Sequence, residues 1–430
     1  MLNQLKKISL SNWILIGMIL GLIVGLILNF FVPDSYIKNI ILMDNIFYLG
    51  GTLFIKLMKM LVVPLVFCSI VVGAASISDI RKIGTIGGRT ILIYLITTAL
   101  AVTIALAIGS IIKPGVGLNM AAVAQSANVT VNSTMTDTIL NMVPENPINS
   151  LANGDMLPVI IFALLIGVIL AKLRDEVQVV NDFFTQANTI MMEMTSIVMK
   201  FAPIGVFCLM ARTFGGLGFE GILPLGKYII CVLIGLAIQG AIVYPSLMVI
   251  FTRLNPLRFF RKFYSVMVFA FSSSTSNATI PLNLERLSEL GVSKEISSFT
   301  IPLGATINMD GTAIMQGVAV MFAAQAYGMD LGTAGLVTVI FTAVMASIGT
   351  AGVPSVGLVT LTMVFNSVGL PIEAIGIIFG IDHILDMFRT AVNVTGDAIC
   401  TIIVSFQNKA LDIDVFNGKK EPTTLGIDLD

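Results

Sequence analysis

Long, nearly uncharged apolar runs dominate this chain, and a chain of that kind has few places to fold other than a lipid bilayer. The first run reaches from Trp13 to Phe31, and others follow near 45–75, 88–112, 156–172, 182–212 and 221–251. About 20 apolar residues are what a helix needs to cross the hydrocarbon layer. Of 430 residues only 11% are charged and 56% are hydrophobic, whereas a soluble domain carries about 25% charged residues. The formal net charge of -1 gives no reason to expect nucleic acid as a partner. The first run follows Lys6 and Lys7 without a small-residue cleavage site, so it reads as a retained membrane helix and not a signal peptide. Cys68, Cys208, Cys231 and Cys400 are scattered through apolar segments without metal or redox spacing, and read as small buried hydrophobes.

Basic residues set the expected orientation. If each run crosses once, Lys6, Lys7, Arg81, Lys82, Arg89, Lys172, Arg174, Arg253, Arg258, Arg261, Lys262, Arg286, Lys294, Lys409, Lys419 and Lys420 share one side, and the other side offers little beyond Lys38 and Lys113. The positive-inside rule then places both termini in the cytoplasm. This works only if two later stretches, 256–290 and 333–370, enter and leave on the same side. Each is apolar but interrupted by a small, polar cluster: Ser-Ser-Ser-Thr-Ser-Asn-Ala-Thr-Ile-Pro at 272–281, and Ser-Ile-Gly-Thr-Ala-Gly-Val-Pro at 347–354. Non-helical backbone facing lipid would leave amides unpaired, so a re-entrant hairpin buried in protein or lining a cavity is expected for each. Two surface loops are the alternative. A span with its own polar motif follows each cluster, Asn-Met-Asp-Gly-Thr at 308–312 and Asn-Val-Thr-Gly-Asp at 393–397. Broken hydrophobic segments at corresponding positions of two halves point to a transporter's binding site.

The last apolar stretch, 375–405, carries Asp382, Asp386, Arg389, Thr390, Asn393 and Asp397. At 100° per residue these six fall within an arc of about 100°, along about 22 Å of helix. Each ionised group at the bilayer centre costs about 2.5–3.5 kcal/mol on insertion scales, which is tolerated where the face meets a polar cavity, ions or a charged ligand. An internal ladder, with Arg389 paired to Asp386 or Asp382, is the competing explanation. One arginine neutralises one acid, however, and Asp310 adds a fourth carboxyl. Hard oxygen donors without a histidine or thiol cluster suit an alkali cation or protons. Elsewhere, Gly17, Gly21 and Gly25 form a small-residue face that favours close helix packing.

These motifs, in this order and spacing, resemble the glutamate/aspartate transporter family of dicarboxylate and amino-acid:cation symporters, from the first helix to about residue 408. The resemblance implies an all-α membrane protein of eight transmembrane helices and two re-entrant hairpins, with inverted repeats, assembled as a homotrimer in a prokaryotic inner membrane. It divides the chain into scaffold (1–77 and 114–215), elevator-type transport domain (78–113 and 216–408) and a cytoplasmic tail (409–430). It further implies that Arg389 pairs bidentately with the side-chain carboxylate of an acidic amino acid, and that Asp386 takes its ammonium group. Asn393 and Thr312 would hold the rest of the substrate, with Ser276, Val353 and Gly357 closing the pocket. Three sodium ions are expected. One site would use Asp397 with Gly304, Asn308 and Asn393; a second Thr306, Ser347, Ile348 and Thr350; a third Tyr94, Thr97, Thr98, Asn308 and Asp310.

The chain departs from the family pattern at several points. Gln316 stands where proton-coupled members carry a glutamate, and Ser274 and Met387 stand where a second arginine is found. Proton coupling and potassium counter-transport are therefore not expected. Carriers of C4-dicarboxylates, cystine or neutral amino acids share the fold and are the nearest alternatives. Arg389 argues against a neutral cargo, because its charge would be buried unpaired, and Asp386 argues against a plain dicarboxylate. An intramembrane aspartyl protease needs paired acids in Tyr-Asp and Gly-x-Gly-Asp contexts, which this sequence lacks. An ion channel would need a continuous pore in place of paired hairpins.

Overall fold

The computed structural model describes residues 10–76, 85–118, 140, 143–218, 222–348 and 356–421. Among these the secondary structure is helical, and an isolated antiparallel bridge between Val292 and Leu411 is the one β interaction. In chain order the helices are α1 (Leu10–Phe30), α2 (Tyr48–Ser76), α3 (Thr85–Ile112), α4 (Pro147–Asn153), α5 (Met156–Leu173), α6 (Gln178–Met199) and α7 (Ala202–Leu217). They continue with α8 (Ile222–Ile238), α9 (Tyr244–Thr252), α10 (Pro256–Ser273), α11 (Ser276–Glu289), α12 (Lys294–Ile307) and α13 (Asp310–Ala326). The last are α14 (Gly332–Ser347), α15 (Val356–Ser367), α16 (Ile375–Gln407) and α17 (Ile413–Phe416). Two π-helical segments, Ile37–Phe47 and Gln239–Val243, run directly into α2 and α9.

Four described helices are long and apolar enough to cross a bilayer: Ile37–Leu57, Ile86–Ile112, Leu223–Thr252 and Ile384–Gln407. The apolar run 182–212, expected to cross once, is two helices bent by 52° between Met199 and Ala202. Pro203 explains the break. It opens α7 at a position where its missing N–H costs nothing.

Packing sorts the helices into two groups. In one, α1 lies along α7, and α2 packs on α5, α6 and α7. Gly17, Gly21 and Gly25 make the α1–α7 approach possible. A Cβ on Gly21 would meet the Phe207 carbonyl oxygen at 2.5 Å, and one on Gly25 the Ala211 oxygen at 2.8 Å. In the other group α3 packs on α8, α13 and α14, while α16 is ringed by α9, α10, α11, α12, α13 and α15. The groups meet where α16 touches α1 and α7 and where α15 touches α2 and α5.

Stretch 256–290 is a helical hairpin. α10 and α11 pack on each other and are joined at Ser274 and Thr275, where Ser274 takes a left-handed conformation (φ 51). The chain after α11 is stitched to the chain after α16, with Ser293 N donating to Ala410 O at 3.0 Å and Asp412 N to Gly291 O at 2.9 Å. In the second interrupted stretch, α14 and α15 pack on each other. Residues 349–355, with Thr350 and Val353, lie outside the described residues, as do Lys6, Lys7, Arg81, Lys82 and the expected boundary at 77–78. All four cysteines are buried free thiols.

A candidate binding site at the helix breaks

The polar stripe of α16 is buried along its whole length: Asp382, Asp386, Arg389, Thr390, Asn393 and Asp397 are each less than a tenth exposed. Arg389 bridges two acids. Nη1 donates to Asp382 Oδ1 at 2.5 Å and Nη2 to Asp386 Oδ1 at 2.7 Å, while Nε and Asp382 Oδ2 have no hydrogen-bond partner. The internal ladder weighed as a competing explanation is therefore present, but it consumes only two of the four buried carboxyls.

The other two lie where α12 gives way to α13. Asn308 (φ -98, ψ 89) and Met309 (φ -115, ψ 49) leave the helical region, so the Asn-Met-Asp-Gly-Thr motif is a helix break. Asp310 occupies the first turn of α13, where the helix dipole favours a carboxylate. Asn393 Oδ1 accepts from Gly311 N at 2.7 Å, and Asn393 Nδ2 lies 3.5 Å from Thr312 Oγ1. A Cβ on Gly357 would stand 2.8 Å from Thr312 Cγ2 and 3.7 Å from Arg389 Nη2. Thus Arg389, Asn393, Thr312 and Gly357 converge from three helices. Ser276 is buried at the start of α11, and no described hydrogen bond joins it to this group. The hairpin end is nonetheless close, since Phe271 meets Phe388 edge-on at 4.9 Å.

Each carboxyl at the break sits among residues singled out in the sequence. Asp397 Oδ1 accepts from Asn308 Nδ2 at 2.9 Å, and Gly304 is the only residue type that fits beside it, because a Cβ there would lie 2.5 Å from that oxygen. Asp310 Oδ1 accepts from Thr98 Oγ1 at 2.6 Å and Thr97 Oγ1 at 3.4 Å, and Thr97 also reaches Asn308 Oδ1 at 3.4 Å. Tyr94 donates to Thr300 O at 3.0 Å, and a Gly304 Cβ would be 2.8 Å from its hydroxyl. At the end of α14, Ser347 Oγ donates to Ile307 O and accepts from Met309 N. Ile348 is buried next to it, and Thr306 Oγ1 donates to Leu303 O at 2.9 Å. Oxygen-rich, helix-breaking clusters of this kind suit hard cations.

Two residues absent from the sequence reading complete the Asp310 environment. Gln239 Nε2 and Tyr244 OH both donate to Asp310 Oδ2 at 2.9 Å. Five positions apart, they would diverge by about 140° on a regular α-helix. The π-helical segment Gln239–Val243 pairs residues i and i+5 and turns both toward the same oxygen. A lone amide in the largely apolar 221–251 run was the available signal.

The model of a family described as "Sodium:dicarboxylate symporter family" matches residues 10–406. The "Proton/sodium-glutamate symport protein" of Geobacillus stearothermophilus is 36% identical over 411 residues, 93% of this chain and 95% of that protein. The "Proton/glutamate-aspartate symporter" of Escherichia coli (strain K12) is 34% identical over 418 residues, 93% of each. The "Neutral amino acid transporter B(0)" of Oryctolagus cuniculus is 34% identical over 389 residues, 82% of this chain and 72% of that protein. The match spans the broken helix, both interrupted stretches and the stripe of α16, and this chain belongs to the sodium:dicarboxylate symporter family, whose members are membrane carriers and not enzymes.

Proposed function

We propose that this protein imports an acidic amino acid, L-aspartate or L-glutamate, driven by sodium ions. The observation that carries the reading is the buried guanidinium of Arg389, held between Asp382 and Asp386 beside Asn393, Thr312 and Gly357. A substrate carboxylate would displace Asp386 from Nη2, and the displaced Asp386 would receive the substrate ammonium. A neutral cargo cannot make that exchange, and a dicarboxylate without an amine would leave Asp386 without a cation. Names among the relatives include both glutamate and neutral amino acid carriers, so Arg389 and not kinship favours the acidic cargo.

The Asp397–Asn308–Gly304 cluster, the Asp310–Thr97–Thr98–Tyr94 cluster and the Ser347–Ile307 junction support three cation sites. Three sodium ions with one monoanionic substrate move two net charges, and a 100 mV potential then supplies about 4.6 kcal/mol, at about 2.3 per charge. That corresponds to more than three powers of ten in accumulation. Several relatives are named proton symporters. Here Gln316, an amide bonded to Thr360 at 2.9 Å, offers no titrating group, which favours sodium alone. The two packing groups support an elevator, with α3 and α8–α16 moving against α1, α2 and α5–α7 in each subunit of a trimer. Eight spans, two re-entrant hairpins and cytoplasmic termini complete the proposed topology in a prokaryotic inner membrane.

The test is uptake of radiolabelled L-aspartate into liposomes containing the purified protein, with sodium, potassium or choline outside and with an imposed pH gradient. Accumulation is expected with sodium only, and none with Arg389→Ala. Uptake driven by the pH gradient in choline would refute the sodium assignment, and uptake of neutral amino acids but not aspartate would refute the role of Arg389.

A further inference from the structure

An apolar groove of about 910 Å³ runs along the outer surface between the α8–α9 span, α10 and α16. Ala237, Gly240, Leu257, Phe260, Met267 and Val392 are among its walls. Its two polar side chains are already engaged: Asn255 Oδ1 accepts from Leu257 N at 2.9 Å, and Thr395 Oγ1 donates to Ala391 O at 2.7 Å. The groove thus presents apolar surface and little hydrogen-bonding capacity. At 1.5 Å per residue, the ten-residue step from Leu257 to Met267 covers about 15 Å, half of the roughly 30 Å hydrocarbon layer and so the depth of one leaflet.

The end of the groove near Leu257 is basic. Arg253 and Arg261 are exposed, and neither forms an ion pair with a carboxylate among the described residues. Arg253 lies two residues before Asn255. Arg261 follows Leu257 by one helical turn, about 40° away around α10, so it flanks the groove face. Arg258 and Lys262 lie on the far side of α10, bonded to Asn417 and to Glu289 O. Leu257 is 76% exposed and Phe388, at the inner end, 39%. An apolar slot one leaflet deep with two unpaired arginines at its mouth is complementary to a molecule with an acyl tail and an anionic head.

We propose that this groove is a binding site for an anionic phospholipid of the inner leaflet, with an acyl chain along α10 and α16 and the phosphate against Arg253 and Arg261. Val392 backs Asn393 on α16, and Gly240 follows Gln239, the donor to Asp310. The lipid therefore lies against the outer wall of the binding site.

Tryptophan quenching tests the assignment, because Trp13 is the sole tryptophan of the sequence. In a Trp13→Phe background, Leu257→Trp places a reporter at the groove mouth, and Val337→Trp, at a 43% exposed position of α14, reports on bulk lipid. Full-length protein is reconstituted in zwitterionic liposomes and titrated with phosphatidylglycerol or phosphatidylcholine carrying brominated acyl chains. Two arginines beside an anionic headgroup correspond to a preference of about thirtyfold. Quenching of Leu257→Trp is expected at correspondingly lower mole fractions of brominated phosphatidylglycerol, with no such preference at Val337→Trp. Arg253→Gln with Arg261→Gln should abolish the preference, and Gly240→Leu, which fills the groove, should weaken quenching by both lipids. Equal quenching of the Leu257→Trp reporter by the two lipids overturns the proposal, as does a preference that survives the double arginine substitution.

Discussion

Adding one methyl group at Gly304 should cripple cation binding while leaving the fold intact. Gly304 lies in α12, one turn before the break, and its missing side chain makes room for Asp397. A Cβ there would stand 2.5 Å from Asp397 Oδ1, 2.7 Å from its Cγ and 2.8 Å from the Tyr94 hydroxyl, against the 3.4 Å at which ordinary contact begins. The carboxyl must therefore move by about 0.9 Å, the difference between 3.4 and 2.5. Metal-site distances tolerate about 0.2 Å, so the shift far exceeds what a cation site absorbs. Neither neighbour has free space to swing into, since Asp397 is 1% and Tyr94 0% exposed. Overpacking costs about 1–3 kcal/mol, and replacing helical glycine by alanine returns about 1 kcal/mol. The net loss of folding stability is then about 0–2 kcal/mol. Cation affinity should fall about 10- to 100-fold, the loss typical when a ligand's supporting shell is disturbed. The assay is thermal unfolding of the purified protein across a sodium titration balanced with choline, because a ligand of the folded state raises its melting temperature. Gly88→Ala, where a Cβ meets nothing within 4 Å, is the control. A Gly304→Ala protein that melts normally and keeps its sodium midpoint would refute the placement of a cation at Asp397.

Tyr244→Phe removes one of the donors to Asp310, and with a charged acceptor that costs about 1.5–3 kcal/mol of stability, measured by unfolding in sodium-free buffer. Sodium should recover part of the loss if a cation compensates the carboxylate. Gln316→Glu introduces a titratable acid against Thr360, and aspartate uptake should acquire a pH dependence that the parent lacks. At the C-terminal end, the hydrogen bond from Lys420 and the amides of Val415 and Asp414 hold the Asp412 carboxyl below the usual range. A depressed pKa stabilises above the unfolded value of about 3.9 and loses that contribution as pH falls through the folded one. Protection of the α17 amides, measured relative to the intrinsic exchange rate at each pH, should therefore fall on acidification, and Asp412→Asn should remove that pH dependence.

The α16 stripe was legible in the sequence because helical periodicity alone places Asp382, Asp386, Arg389, Asn393 and Asp397 on one face. The turn at Ser274–Thr275 was legible as a polar interruption that lipid cannot accommodate, whereas 308–312 read as the polar motif of a span and its helix break at Asn308–Met309 emerged only in the structure. Composition determined the membrane class, and the glycine spacing of α1 announced a close helix partner without naming α7. Tertiary structure decided what periodicity cannot encode. The bend after Met199 turns one apolar run into two helices, since hydropathy averages over Pro203. Arg389 engages two acids at once because Asp382 and Asp386, one turn apart, both reach its planar fork. Gln239 and Tyr244 meet at Asp310 only through a π-helical segment, which shifts the phase of the helix and packs against α16. Hydropathy and helical phase are local properties of the chain, whereas the partners of Asp310 and Asp397 come from helices more than 60 positions away, brought together only when the packed structure forms.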